Sequence, residues 1–333
     1  MQTVITGATG LLGGNLAVQL LAEGHGVRAT RRSGSRVTHL GKHPIEWVEA
    51  DLDDTDALTR AFEGAEVVYH CAALVSPRRR VTPALEHANV GGTRRVLDAV
   101  RAAGVRRLVH CSTVGAVGVS EDGQPCTEDA PWNFTAHGLD DGYVVTKSRA
   151  EDSVREAVRG GLDAVIVNPT YMLGPYDVKP SSGRMIVSIV RGELPGWTPG
   201  KNNFVDVRDV ARGMVRAAEL GRSGERYILG GSNLSYREVF ELIARAAGVR
   251  APRRRVPYAP GLVFGLMGDL QEWLRPGSEP FINSATLRWG FAEGFVFSSA
   301  RAERELGYRH GPLEPAISDA LAWFREHGVL ARD

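Results

Sequence analysis

The 333-residue chain carries 40 Lys and Arg residues against 39 Asp and Glu residues, so its net charge is only +1. This balance gives no overall electrostatic signature for binding nucleic acid or an anionic membrane. The length admits one full domain with a smaller lobe beside it. No uninterrupted apolar run approaches the ~18 residues of a membrane span, and no signal peptide is recognisable at the N-terminus.

The three cysteines, Cys71, Cys111 and Cys126, form no close pair in the sequence. We interpret them as core thiols of a cytoplasmic protein, because a reducing compartment disfavours disulfides. No histidine and cysteine cluster has the spacing of a metal site, so we expect no metal.

Short apolar strands alternate with helical patterns through the first half of the chain, which predicts an α/β fold with a doubly wound parallel sheet. The predicted strands are Val4–Thr6, Val27–Thr30, Ile45–Glu49, Val67–His70, Arg107–Cys111 and Ala164–Val167. After Pro169 the alternation loosens and returns only with a helix from Val207 and a strand over Arg226–Leu229. The pattern predicts a smaller lobe built from separate C-terminal insertions.

Directly after the first strand comes the glycine loop Gly7-Ala-Thr-Gly10-Leu-Leu-Gly13, which runs into a helical pattern. Glycines at a strand-to-helix turn let the backbone approach a pyrophosphate, which the helix N-terminus favours electrostatically. The alternative is a purely structural turn with a tight helix contact. No Gly-Lys-Ser/Thr follows, so a nucleotide-hydrolysing P-loop is disfavoured.

The second strand ends at Arg31 and Arg32, where an NAD-specific protein would carry Asp or Glu against the adenosine ribose. Guanidinium groups can instead bind a 2′-phosphate through charge-assisted hydrogen bonds. The pair predicts NADP(H) as the cofactor. The alternative is a solvated arginine pair on a loop.

Tyr143 and Lys147 lie four residues apart at the start of a predicted helix, so both side chains face the same way. An ammonium close to a phenol lowers the phenol's pKa and makes it a proton donor at neutral pH. Ser112 and Thr113 end the fifth strand and bring two hydroxyls to the edge of the sheet where ligands bind. The alternatives are a solvated helix face and hydroxyls that cap a turn.

Taken together, these motifs resemble the extended short-chain dehydrogenase/reductase superfamily, in its dihydroflavonol reductase-like or NAD(P)-dependent epimerase/dehydratase branch. The resemblance covers nearly the whole chain in order. Its further elements are Asp51-Leu52, His70-Cys-Ala-Ala73, Asn89-Val-Gly-Gly-Thr93 and Asn168-Pro-Thr-Tyr-Met-Leu-Gly-Pro175. It implies a Rossmann-type fold that binds a nicotinamide dinucleotide.

The resemblance also implies roles for individual residues. Thr113, Tyr143, Lys147 and Asn89 form the implied catalytic set, although whether Thr113 or Ser112 supplies the catalytic hydroxyl stays open. Asn89 would hold active-site backbone and a relay water, or else simply cap its helix. Lys147 would also donate a hydrogen bond to the nicotinamide ribose. Asp51 would accept one from the adenine amino group, or else cap the helix over Asp53–Phe62. The implied cofactor contacts are Gly7, Thr9, Gly10, Leu11, Leu12, Gly13, Arg31, Arg32, Asp51, Leu52, Cys71, Ala72, Ala73, Ser112, Tyr143, Lys147, Pro169 and Met172.

We predict that residues 1–173 form the dinucleotide-binding domain, that 204–231 return to it, and that 174–203 and 232–333 mostly form the substrate-binding lobe. Pro260–Asp269 is apolar with three internal glycines, which is poor material for a rigid helix and suits a mobile wall over an apolar ligand. A peripheral membrane or partner contact is the alternative for this tract.

The predicted function is NADP(H)-dependent reduction of a bulky apolar ketone or aldehyde by a monomer or homodimer, with Tyr143 as the proton donor. One alternative is a nucleotide-sugar epimerase or dehydratase, for which Arg253-Arg-Arg255 could neutralise a diphosphate. Against it, the sixth strand ends in Asn168-Pro169, where such enzymes commonly have Arg-Pro. A second alternative is a cofactor-sensing binding protein without turnover, but such proteins tend to lose the Tyr/Lys pair.

Overall fold

The computed structural model describes residues 1–275 and 282–331. Within them, seven parallel strands form one sheet in the order β3-β2-β1-β4-β5-β6-β9, and three form a small sheet in the order β10-β8-β7. The strands are β1 (Gln2–Thr6), β2 (Gly26–Arg31), β3 (Glu46–Glu49), β4 (Val67–His70), β5 (Arg107–Cys111), β6 (Ala164–Pro169), β7 (Tyr171–Leu173), β8 (Lys201–Asp206), β9 (Arg226–Leu229) and β10 (Ser232–Ser235).

Helices cover both faces of the large sheet. They are α1 (Leu11–Ala22), α2 (Thr55–Phe62), α3 (Pro83–Leu85), α4 (Gly92–Ala102), α5 (Gly142–Arg159), α6 (Arg184–Val190), α7 (Val207–Leu220), α8 (Tyr236–Ala247), α9 (Tyr258–Leu274), α10 (Ser284–Phe291), α11 (Ala300–Leu306) and α12 (Glu314–Glu326), with a π-helical turn over Glu86–Gly91 and 3₁₀ turns over Thr38–Leu40 and Val114–Ala116. One core contains α1, α7 and α11, and another contains α2, α4 and α5. The predicted doubly wound α/β fold is confirmed.

The strand order reverses at β1, which pairs with β2 on one side and β4 on the other. Thr6 at the end of β1 pairs with His70 at the end of β4. In open parallel sheets, ligands bind outside the carboxyl ends of the strands at such a reversal. The glycine loop after β1 and the Cys71–Ala73 segment after β4 therefore meet at this crevice.

The small sheet packs with α6, α8 and α12 around a separate apolar core that includes Leu173, Phe204 and Phe324. Residues 204–206 lie in β8 of this sheet rather than in the large sheet, because β8 is hydrogen-bonded between β7 and β10. In contrast, α7 and β9 do rejoin the large sheet. The use of 174–203 and 232–333 for substrate binding stays a prediction, and 276–281 and 332–333 lie outside the described residues.

The tract Pro260–Asp269 lies within the 17-residue helix α9, so the expectation that it is poor material for a rigid helix was wrong. Gly261, Gly265 and Gly268 share one buried face of this helix. A Cβ atom on Gly265 would lie 3.1 Å from the backbone of Ser284. Close packing against the start of α10 therefore offsets the entropic cost of helical glycine. None of the described helices is long and apolar enough to cross a membrane.

Candidate active site

Two glycines of the loop after β1 are required by the protein's own packing. Gly7 has a φ of 78°, and a Cβ atom there would lie 2.6 Å from the backbone nitrogen of Ala72. A Cβ atom on Gly13 would overlap the carbonyl oxygen of Gly7. Gly10 differs, because it is exposed and the nearest atom to its Cβ position is an ordinary 3.5 Å away. A structural turn accounts for Gly7 and Gly13 but leaves Gly10 unexplained.

Helix α1 begins with an uncapped N-terminus. Gly10 occupies the N-cap position, where it offers no side-chain hydrogen bond, and the first turn contains no acidic residue. The first N–H groups of the helix, including those of Leu11 and Leu12, therefore have no capping side chain, and Thr9 lies half-buried beside them. Such an N-terminus favours a phosphate. The residues present fit the pyrophosphate of a dinucleotide.

The arginine pair at the end of β2 has unused hydrogen-bonding capacity. Arg31 is half-buried, and its buried Nε atom has no hydrogen-bond partner among the described residues. Arg32 is exposed next to it. An unpaired buried N–H group is costly, and an anion would satisfy it. This environment fits a phosphate better than an unphosphorylated ribose.

Asp51 and Leu52 follow β3 on the same side of the crevice. The capping role weighed for Asp51 was wrong, because Asp54 is the N-cap of α2 and accepts a 2.8 Å hydrogen bond from the Ala57 amide. The Asp51 carboxylate is exposed and accepts only a 3.3 Å bond from Asp53 in the same turn. Leu52 is half-buried. The adenine contact of this pair stays a prediction.

Asn89 fastens the loop after β4. It is 2% exposed, its oxygen accepts a 2.8 Å bond from the Leu74 amide, and its nitrogen donates to the Leu74 carbonyl at 3.0 Å and to the Thr146 hydroxyl at 3.1 Å. The alternative role as an N-cap was wrong, since Asn89 lies inside the π-helical turn and Thr82 caps this helical run. Such turns often occur at functional sites. Asn89 therefore links the loop over Cys71–Ala73 to the helix that carries Tyr143.

Lys147 is 3% exposed, and its ammonium donates a 2.7 Å hydrogen bond to the Cys111 carbonyl at the end of β5. Burial lowers the pKa of Lys147. Tyr143 lies one turn earlier on α5 and is half-buried. Burial raises the pKa of Tyr143, with Cys111 and Asp141 acting in the same direction, while a hydrogen bond with Thr113 lowers it. The expectation that the pKa of Tyr143 is lowered was therefore wrong, because it is raised and burial is the largest cause.

The two hydroxyls after β5 have different surroundings. The Ser112 hydroxyl donates a 2.5 Å hydrogen bond to the Glu151 carboxylate. The Thr113 hydroxyl accepts a 3.3 Å hydrogen bond from the Gly115 amide and so caps the 3₁₀ turn over Val114–Ala116, and its interaction with the Tyr143 phenol acts to lower the pKa of that phenol. Asn168 donates to both Glu151 and the Thr113 carbonyl at 2.9 Å, which fixes the end of β5 against β6. Of the two hydroxyls, that of Thr113 is the one that interacts with Tyr143.

Glu151 was missed by sequence reasoning. It is 2% exposed and forms ion pairs with Arg155 at 2.7 Å and Arg226 at 3.3 Å. Its spacing was a usable signal, because it lies four residues after Lys147 and eight after Tyr143 and so shares their helix face. The partner Arg226 comes from β9 and could not be found by local spacing.

The remaining predicted contacts lie at the same edge of the large sheet. Pro169 is the buried last residue of β6, and Met172 is half-buried in β7. Cys71 and Cys111, both without a disulfide, occupy neighbouring strand ends, and their interaction raises the pKa of Cys71 and lowers that of Cys111. Their contacts with a cofactor stay predictions.

One group of metal-ligating side chains occurs in the part of the chain that the structure describes. Glu23, His25 and Glu219 bring one ligand atom each within 4.8 Å of one another. Glu23 and His25 lie between α1 and β2, at the amino edge of the sheet and away from the crevice. The group has no connection to Tyr143.

Chemically, the crevice combines an anion site, a phenol, a hydroxyl beside that phenol and a buried ammonium. Tyr143 and Thr113 can both donate a hydrogen bond to one oxygen atom, as the reduction of a carbonyl requires. Lys147 supplies a fixed positive charge behind them. The arrangement suits proton transfer to an oxygen next to a bound dinucleotide.

Residues 3–230 match the family described as the NAD dependent epimerase/dehydratase family. The chain is 35% identical to a provisionally named dihydroflavonol 4-reductase of Synechocystis sp., over 98% of this chain and 95% of that protein. It is 38% identical to sterol demethylase protein B of Methylococcus capsulatus, over 99% and 100% of the two chains.

A third relative is 4-hydroxy-2-methyl-3-oxo-4-farnesyl-3,4-dihydroquinoline-1-oxide ketoreductase of Stigmatella aurantiaca, with 32% identity over 96% of each chain. The resemblance inferred from the motifs is thereby confirmed, and it supports an oxidoreductase with a nicotinamide cofactor. The chain belongs to the NAD dependent epimerase/dehydratase family, within the extended short-chain dehydrogenases/reductases.

Proposed function

We propose that the protein is an NADP(H)-dependent carbonyl reductase in which Tyr143 protonates the oxygen of a bulky apolar ketone or aldehyde. The observation that carries this proposal is the grouping of Tyr143, Thr113 and Lys147 at the carboxyl ends of the strands. Thr113 follows β5, Tyr143 lies one turn before Lys147 on α5, and the Lys147 ammonium donates a 2.7 Å hydrogen bond to the Cys111 carbonyl at the end of β5. All three lie on the side of the sheet where the glycine loop follows β1.

When bound, the reduced nicotinamide supplies the hydride that goes to the carbonyl carbon. Thr113 and Tyr143 hold the carbonyl oxygen, and Tyr143 gives up its phenolic proton as the alcohol forms, to be reprotonated from solvent. Because the pKa of Tyr143 is raised, the phenol stays protonated at neutral pH. Reduction uses this protonated form, whereas alcohol oxidation needs the phenolate as a base. Asn89 keeps the neighbouring loop in place through Leu74.

The preference for NADP(H) is supported by the end of β2. Arg31 has an unpaired buried Nε, and Arg32 is exposed beside it. No acidic side chain ends this strand, so a 2′-phosphate would meet positive charge rather than repulsion. Asp51, which follows the neighbouring strand β3, would then face the adenine.

The substrate class is supported by exposed apolar side chains on segments that adjoin the candidate site. Leu74, Val75 and Val81 are between 37% and 57% exposed on the loop after β4, and Trp132 is 37% exposed and bonded to the Gly115 carbonyl near Thr113. Exposed apolar groups around a cleft favour an apolar ligand. Two relatives carry the names of a sterol demethylase protein and a ketoreductase of a farnesylated compound, which agrees with this class.

Nucleotide-sugar epimerisation or dehydration is the second candidate, because the family description includes both activities and Arg253, Arg254 and Arg255 are exposed. Against it, Asn168, the last residue but one of β6, has its amide bonded to Glu151 and the Thr113 carbonyl. A positive side chain there would instead meet the carboxylate of Glu151. Asn168 is therefore built into the support of the hydroxyl pair and is not free to bind a diphosphate.

The test is a panel of aromatic, polyketide-like and isoprenoid ketones and aldehydes, assayed by NADPH consumption, alongside binding of UDP-, GDP- and dTDP-sugars. The proposal expects reduction of bulky apolar carbonyl compounds and weak binding of the sugar nucleotides. Tight sugar-nucleotide binding without reduction of any apolar ketone would reverse the order of the two candidates. NADPH binding with neither activity would favour a cofactor-sensing protein.

A further inference from the structure

Helix α9 is packed with its smallest residues inward and its largest outward. Gly261, Gly265 and Gly268 are its buried positions, and they lie against residues 282–287. The exposed side chains are large and apolar, with Phe264 at 65% and Trp273 at 75% exposure. The remaining members of this face are Tyr258, Val263, Leu266, Met267, Leu270 and Leu274, each 47–62% exposed. An apolar surface of this extent on a soluble domain marks a contact site.

Positive charge lies just before α9 and on a loop that is bonded to the start of α10. Arg253, Arg254 and Arg255 are exposed just before the helix. The loop that carries the exposed Arg79 and Arg80 is tied to the start of α10 by a 2.7 Å hydrogen bond from Asn283 to the Pro77 carbonyl. The net charge of +1 conceals this local excess, because acidic residues elsewhere in the chain cancel it.

The acidic residues of α9 do not offset this charge on the apolar face. The Asp269 carboxylate points inward and accepts a 3.0 Å hydrogen bond from the Ser284 amide. Glu272 is half-buried and has an interaction partner of its own. The face therefore combines large apolar side chains with a basic margin.

We propose that α9 docks in the plane of an anionic phospholipid bilayer, with Phe264 and Trp273 inserted at the level of the headgroups. Interfacial helices present an apolar face with basic residues beside it, and tryptophan favours the membrane–water interface. The arginines complement anionic headgroups. A second copy of the chain is a poorer occupant, because a twofold interface would bring the same basic margins together without exposed acids on the face to pair with them.

The segment that α9 packs against is connected through one loop to the helix that carries Tyr143. The tie from Asn283 reaches Pro77, and the same loop accepts a hydrogen bond at the Arg78 carbonyl from Gly142, the first residue of the helix that carries Tyr143. An apolar substrate dissolved in the membrane would then reach the phenol without crossing water. This last step rests on the proposed reductase function, whereas the docking itself does not.

The test is co-sedimentation of the full chain with vesicles of phosphatidylcholine mixed with phosphatidylglycerol, and with vesicles of phosphatidylcholine alone. We expect binding to the mixed vesicles, weakened by salt and by removal of the anionic lipid. The Phe264→Gln/Trp273→Gln variant should bind roughly tenfold more weakly or worse. Leu220→Gln, at a 48% exposed leucine on α7, is the control and should bind like the wild type.

A second variant tests the basic margin. Arg253→Gln/Arg254→Gln/Arg255→Gln should lose affinity for anionic vesicles, and replacing the exposed Lys42, Arg60 and Arg159 by Gln should cost much less. The proposal is overturned if the wild type binds neither vesicle, or if the Phe264/Trp273 variant binds like the wild type. It is also overturned if ultracentrifugation shows that this variant converts a dimer to a monomer.

The vesicle-binding result can be separated from the test of the proposed reductase activity. Turnover of a small water-soluble ketone should not depend on vesicles, because such a substrate reaches Tyr143 from water. If no ketone is reduced by any form of the protein, the vesicle experiment still decides the docking proposal by itself.

Discussion

The hydroxyl of Ser112 donates a 2.5 Å hydrogen bond to the carboxylate of Glu151. Its neighbour Thr113 instead interacts with the phenol of Tyr143. We therefore expect Thr113→Ala to reduce turnover by about a hundredfold or more, because one of two donors to the carbonyl oxygen is lost. Steady-state kinetics with a reducible ketone measures this effect.

Ser112→Ala is the matched control. The substitution removes one hydrogen-bond donor from the buried Glu151 carboxylate, so we expect the free energy of unfolding to fall by about 1–3 kcal/mol. Turnover should stay within a few-fold of the wild type. If Ser112→Ala abolished turnover while Thr113→Ala did not, the two roles would have to be exchanged.

The arginine pair predicts cofactor preference. NADPH should bind more tightly than NADH, and Arg31→Ala/Arg32→Ala should weaken NADPH binding by about 2–4 kcal/mol while changing NADH binding little. Titration calorimetry with both cofactors measures the ratio. Equal affinities in the wild type, or a ratio that the double variant leaves unchanged, would remove the argument for a phosphate site.

Substitution of Asn89 should change both the free energy of unfolding and the KM for the substrate. Asn89→Ala leaves the Leu74 N–H and carbonyl without their partner, so we expect a loss of about 1–3 kcal/mol in unfolding free energy together with a raised KM. Thr82→Ala, which removes the true cap of the same helical run, should cost about 1 kcal/mol with KM unchanged. Identical KM values in the two variants would contradict a positioning role for Asn89.

Asp141 predicts a pH dependence of stability. Burial raises the pKa of this helix cap from 3.8 to about 7. Between these pKa values the native state holds a proton that the unfolded state has released. The free energy of unfolding therefore falls as the pH rises through this range, and the loss is complete above the native pKa. Asp141→Asn keeps an acceptor for the Val144 amide. The fall in Tm between pH 5 and pH 8 should be smaller in the variant, and an equal fall would contradict the raised pKa.

The sequence was sufficient for the architecture and for the local motifs. The strand alternation predicted the sheet, and the spacing of Tyr143 and Lys147 placed both on one helix, because hydrophobic period and helical spacing are properties of short segments. The strand over Arg226–Leu229 was also predicted, from the return of the alternation between helix and strand. These features depend on neighbours in the chain.

What the sequence could not give depends on contacts between distant segments. The link from Asn89 to Leu74, and the pairing of Glu151 with Arg226 from β9, arise only when the sheet is assembled. The effect of burial on Tyr143 likewise needs the folded environment. Helix α9 was missed because three glycines argued against a helix, whereas their close contact with residues 282–287 decided the outcome.

The most direct test of the account is Tyr143→Phe, assayed for NADPH-dependent ketone reduction and for NADPH binding by calorimetry. We predict that turnover is abolished while the NADPH affinity stays within about a few-fold of the wild type, because only the proton donor is removed. In the wild type, reduction should persist to well above neutral pH, because burial raises the pKa of the phenol. A Tyr143→Phe variant that keeps wild-type activity would contradict the proposed mechanism.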